Sequence, residues 1–193
     1  MVKKYLLLTI EKPKQSSTKQ TKSGKVSPYL NTMQNTINQS LWNQFGASID
    51  MLKNAISFCP EAHWNTDSKF WYHAFHCLFF LDYYLCMQPA SFKPRAPFTE
   101  SEFEDQLPER VYTKRELLDY LQASRDKCKE LITNLDAEKM ESRWINSSGS
   151  MDYSVFEILL YNLRHVQHHA AQLNLLLRQA TNDAPEWVFR ADS

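Results

Sequence analysis

The stretch from about Ser68 to Met87 constrains the fold more than any other part of this sequence. It reads as a helix, yet Phe70, Trp71, Phe75, Leu78, Phe79, Phe80, Leu81, Tyr83, Tyr84 and Leu85 leave almost no side of it polar. A helix that is apolar nearly all round must be covered on most sides by other elements. No apolar run in the chain reaches the roughly 18–20 residues that a membrane span requires, so the cover has to be protein. The same sequence supplies it.

Three further segments carry apolar residues at spacings of three and four. From about Asn35 to Ser57 the stripe is Ile37, Leu41, Phe45, Ile49, Leu52 and Ile56, closed by Pro60. From about Lys114 to Leu135 it is Leu117, Leu118, Leu121, Cys128, Leu131, Ile132 and Leu135, opened by a capping box of Thr113 and Glu116. The last runs from about Ser154 to Gln179, with Pro185 beyond its end. Asp67 or Ser68 is expected to cap the second segment. Between the second and third helices lies Gln88–Tyr112, with Pro89, Pro94, Pro97 and Pro108. It is too long for a tight hairpin and suits a crossover. A polar loop holding Ser147, Ser148, Gly149 and Ser150 precedes the last helix. With only three glycines in 193 residues, a turn-rich β architecture is disfavoured. The expected architecture is all-α, a four-helix bundle with a long crossover between the second and third helices.

Residues 1–32 differ in kind. They hold Lys3, Lys4, Lys12, Lys14, Lys19, Lys22 and Lys25 against the single acid Glu11, and Pro13–Pro28 has little to bury. They read as a flexible basic tail ahead of one domain over 33–193. Over the whole chain charge is balanced, 22 basic against 22 acidic residues. That removes the general electrostatic reason to expect nucleic acid or an anionic membrane as partner. Cys59, Cys77, Cys86 and Cys128 form no CxxC and no dense framework, which points to free thiols in a reducing, cytoplasmic setting.

The chemistry lies in the histidines. Of six, His165, His168 and His169 fall within five positions of the last helix. Residues four apart on a helix lie about 40° from each other and one turn apart, so His165 and His169 can point at one ion. Asn162 and Gln172 continue the row. Leu159, Leu163, Val166, Ala170, Leu173 and Leu177 set the apolar arc. His169 and Asn162 fall inside it once Ile158 and Leu176 are included, His165 at its edge, His168 outside. A third ligand has to come from another helix, and the second offers His73 and His76. Three neutral imidazoles with an open position is a catalytic rather than a closed zinc arrangement, and nickel or ferrous iron suits the same donors.

His165-Val-Gln-His168-His169-Ala-Ala-Gln172-Leu173 resembles the HxxxHxxQ signature on the last helix of the DinB/YfiT-like superfamily. The resemblance extends over about Met33–Val188: Leu41–Trp64 is similar to the family's first helix and its following tryptophan. His76 with Leu78, Leu81 and Asp82 is similar to its second-helix ligand segment, Thr113–Leu135 with Arg125 to its third helix, and Pro185–Trp187–Val188 to its ending. The resemblance implies a metal-binding four-helix bundle, with His76, His165 and His169 as the ligands of one divalent ion (Zn, Ni or Fe). His73 remains a substitute for His76. It also implies a metal-dependent enzyme acting on a small-molecule substrate by activating a thiol or water, of thiol-dependent transferase or hydrolase type, with a low-molecular-weight thiol as cofactor. Asn162 and Gln172 are then candidates for cofactor or substrate contact, and a homodimer is expected. No acid stands beside the HxxxH as in HExxH, which counts against a peptidase of that kind. The alternative is a non-catalytic metal-binding bundle acting through partners, with the aromatics of Tyr72–Tyr84 or Trp187–Phe189 as its docking face.

Overall fold

The computed structural model describes residues 28–191. Four long helices carry the fold: α1 (Pro28–Phe58), α3 (Phe70–Tyr84), α4 (Lys114–Thr133) and α6 (Val155–Thr181). Short helices α2 (Glu61–Trp64) and α5 (Ala137–Glu141) and a two-stranded ribbon fill the connections. Each of α1 and α3 packs against both α4 and α6, whereas α1 meets α3 only marginally. The bundle therefore runs α1, α4, α3, α6 around its axis. The α1/α4 and α3/α6 seams lie on opposite sides, a point that matters for the site. No helix among the described residues is long and apolar enough to cross a membrane.

The expected stripes are the buried ones. Leu41, Phe45, Ile49, Leu52 and Ile56 of α1 meet Leu117, Leu121, Cys128 and Ile132 of α4 and Leu159, Val166, Ala170, Leu173 and Leu177 of α6 in one core. In α3, ten of fifteen residues are buried, as a helix without a polar face requires. At about 1.5–3 kcal/mol for each fully buried large apolar side chain, this helix is the largest contributor to the core.

Local chemistry sets the ends. Thr113 accepts from the Glu116 amide while the Glu116 carboxylate accepts from the Thr113 amide, the capping box read from sequence. Ser154 caps α6 by accepting from the Glu157 amide at 3.1 Å, and Asn182, left-handed at φ 60°, closes it. The start of α3 departs from expectation. Neither Asp67 nor Ser68 caps it; Lys69 stands at the N-cap in a left-handed conformation with no side-chain cap. α1 begins at Pro28, inside the stretch read as tail, and the rest of that stretch lies outside the described residues.

The polar loop before α6 is the tip of an antiparallel hairpin, β1 (Arg143–Ile145) with β2 (Asp152–Ser154), in the register Arg143 to Ser154 and Trp144 to Tyr153. Gly149 at its tip has φ 70°, a conformation that L side chains rarely adopt. Trp144 is buried against Tyr83 and Tyr84, and its indole donates to the Cys86 carbonyl at 2.9 Å, so the ribbon clamps the end of α3. The last described segment returns along α1, where the Ala191 amide donates to the Asn43 carbonyl at 3.0 Å. A Cβ on Gly46 would stand 2.5 Å from that of Ala191, so the close approach needs glycine. All four cysteines are free.

Candidate metal centre

α3 and α6 bring three histidines together across their seam. His165 and His169, four residues apart on α6, have ring centroids 4.5 Å apart. His76 of α3 faces them, 4.8 Å from His169 and 5.8 Å from His165. One nitrogen from each of the three lies within 4.8 Å of the others, a group that could hold a metal ion. His73, the alternative third member, lies one turn back beside Tyr72 and does not join the group. His168 is exposed, its ring 5.1 Å from that of His169.

Burial prepares these rings as ligands. It pushes the His165 pKa down to about 3, helped by the neighbouring His169 and His76, and that of His169 down to about 4, helped by His76. Both are neutral at pH 7 and offer lone pairs. Yet both nitrogens of His165 and Nδ1 of His169 are buried without a hydrogen-bond partner. An unpartnered buried polar group costs about 1–3 kcal/mol, and three in one place is a large cost for a core to carry. A cation bound to one lone pair on each ring relieves part of it, so the donor set fits a divalent ion. Phe80, 5.0 Å from His76 and 5.9 Å from His165, and Tyr84, 5.8 Å from His165, wall the group on the α3 side. A shallow cavity of about 550 Å³ opens beside His165, lined among others by Tyr161, Arg164, Gln167 and His168. A groove of about 690 Å³ along Trp64, Tyr112 and Lys114 shares no residue with the group.

The two amides singled out in the sequence part company. Gln172 is exposed and its side chain interacts with the His169 ring. Asn162 is fully buried, and its amide donates to the Leu81 carbonyl at 3.0 Å. It ties α6 to α3 one turn from His165, while its Oδ1 has no partner.

One member of the site has no precedent in the sequence reading. Glu102, from a 3-10 turn in the crossover (Ser101–Glu104), places Oε2 2.5 Å from His76 Nδ1. Its side chain is 2% exposed and Oε1 has no partner. The Tyr72 phenol lies against it and is raised to about 12 by burial and then by the carboxylate charge. Sequence could not place Glu102, because an irregular segment has no periodicity to say where a side chain points. The one available hint was its neighbourhood: Phe92 and Phe98 in a proline-rich segment are buried anchors, and Phe103 packs on Phe79 although it is 46% exposed.

Compared with known proteins, residues 44–173 match the family model described as the DinB superfamily. No curated protein matches the chain.

Proposed function

Because the chain belongs to the DinB superfamily, we propose that it is a divalent-metal protein whose ion is held by His76, His165 and His169, and that it is a metal-dependent enzyme activating a thiol or water. The observation that carries the reading is the convergence of three imidazoles, two of which hold buried nitrogens with no hydrogen-bond partner. A divalent ion there supplies Lewis acidity, lowering the pKa of a bound thiol or water so that a nucleophile forms at neutral pH. Nitrogen donors of this kind suit zinc, nickel or ferrous iron.

The chain's own residues do the rest. His165 and His169 stay neutral down to about pH 4, because burial opposes their protonation. Phe80 and Tyr84 keep water from one side of the group. Gln172, exposed and against His169, is placed to meet an incoming molecule, whereas Asn162 acts on the site by holding α3 and α6 together. The cavity beside His165 is of the size that small ligands occupy, and Arg164 on its wall favours a substrate or thiol cofactor bearing an anionic group. Four free thiols support a reducing, cytoplasmic setting.

A second reading, a non-catalytic metal-binding bundle acting through partners or as a homodimer, is favoured by Trp187 and Phe189, which are 58% and 80% exposed.

Metal content by mass spectrometry tests the site. About one equivalent of metal is expected in the wild-type full chain, lost in His76→Ala, His165→Ala and His169→Ala and kept in His73→Ala and His168→Ala. Protein that carries none and takes up none from added zinc, nickel or iron refutes the reading. Cobalt substitution separates the two functions: a spectrum perturbed by small thiols supports the enzyme, and an unresponsive one the partner-binding bundle.

A further inference from the structure

Glu102 is a carboxylate buried to 2% exposure, and burying such a group costs several kcal/mol unless it is paired and hydrogen-bonded. It meets His76 Nδ1 through Oε2 and has the Tyr72 phenol against it, while Oε1 has no hydrogen-bond partner. A carboxylate serving only to hold the crossover in place would be expected to have both oxygens satisfied. The crossover is already held by other means. Phe103 packs 4.9 Å from Phe79 and 5.0 Å from Tyr83, and Phe98 stacks 4.5 Å from Tyr120. The turn itself is closed by the Gln106 amide donating to the Ser101 carbonyl at 3.0 Å, with Asp105 left-handed at φ 52°. These contacts on either side deliver Glu102 to His76.

An ionised carboxylate only accepts, so the proton between the two groups sits on His76 Nδ1, which donates. The lone pair is then left on Nε2. We propose that Glu102 is a positioning residue for the metal centre: by holding Nδ1 it fixes His76 in the tautomer and orientation that present Nε2 to His165 and His169. His165 has no such partner on either nitrogen, nor has His169 on Nδ1, so the three ligands are unequal by construction. The long crossover is then part of the site rather than a connection around it. This inference rests on the three-histidine reading above.

The test uses the full chain with zinc as the probe. Long-range nitrogen–proton correlation spectra of the metal-free protein, with His76 assigned by comparison with His76→Ala, should show the Nδ1–H tautomer in wild type and its loss in Glu102→Ala. Zinc affinity, measured against a competing chromophoric chelator, should fall about 10–100-fold in Glu102→Ala and by less in Glu102→Gln, whose amide oxygen still accepts from Nδ1. Should Glu102→Ala fail to fold, judged by circular dichroism, the Gln variant carries the affinity comparison. Wild-type zinc affinity in both Glu102 variants, or the Nε2–H tautomer in wild type, overturns the role of Glu102 and leaves the metal site standing. Wild type that takes up no zinc overturns both.

Discussion

Buried polar groups occur at two opposite seams of this bundle, and they are treated in opposite ways. At the α1/α4 seam Asp50 and Arg125 form a two-point ion pair, Nε to Oδ1 at 2.8 Å and Nη2 to Oδ2 at 3.1 Å. The guanidinium also lies 5.0 Å from the centre of the Trp42 ring. Here the protein supplies the partners itself. At the α3/α6 seam the nitrogens of His165, Nδ1 of His169 and Oε1 of Glu102 have none. The burial is comparable and the chemistry is not. A satisfied buried pair is architecture, and a cluster of unsatisfied nitrogens beside a buried carboxylate fits the proposed ion.

That contrast is open to attack by mutation, beginning where the effect is largest. Removing one member of the α1/α4 pair, as Asp50→Ala or Arg125→Ala, is expected to cost about 3–5 kcal/mol in denaturant unfolding, because it strands a buried charge. Metal content should be unchanged. Loss of metal in these variants would mean that the seams are not independent.

Adding zinc to wild type at a hundred times its dissociation constant should stabilise the fold by about 2.7 kcal/mol. Chelation should reverse the gain, and His165→Ala should abolish it. A melting temperature indifferent to zinc would remove the distinction between the seams.

A sharper probe reverses the usual sign. In metal-free protein His165→Leu is expected to stabilise by about 1 kcal/mol, since it removes buried polar atoms that nothing satisfies. The same change eliminates metal uptake. If urea unfolding shows destabilisation instead, His165 has partners in solution and is an ordinary core residue.

The remaining probe is pH. Burial holds His165 near 3 and His169 near 4, below the value of about 6.5 for the unfolded chain. The unfolded state therefore binds more protons across that window. Stability of the metal-free protein from these groups is full above about pH 6.5 and is lost as pH falls toward 4 and then 3. Thermal melts from pH 7 to 4 should show the decline, and His165→Leu should flatten part of it. Zinc should steepen it, as protons compete for the ligands.

Much of this was legible beforehand because helical periodicity is a local property. The four long helices, the Thr113–Glu116 box, the crossover and the pairing of His165 with His169 all follow from spacings within one element. The DinB match over residues 44–173 agrees with the resemblance read from the same motifs. The misses have a common cause. The ribbon around Gly149 has strands of three residues, too short to show alternation. The start of α3 is set by backbone at Lys69 rather than by a capping side chain. The Leu81 carbonyl that accepts from Asn162 lies on another helix, so no spacing within α6 could name it.

By itself the sequence determined which residues lie on which face of each helix, since 3.6 residues per turn converts spacing directly into direction. It therefore determined the bundle and two of the three clustered histidines. Only the tertiary structure could choose His76 over His73, because a helix apolar on nearly every side has no face that periodicity can orient, and packing against α6 decides which residue meets the pair. Only the tertiary structure could bring in Glu102, because an irregular crossover reaches the site through long-range aromatic anchoring that no local pattern encodes.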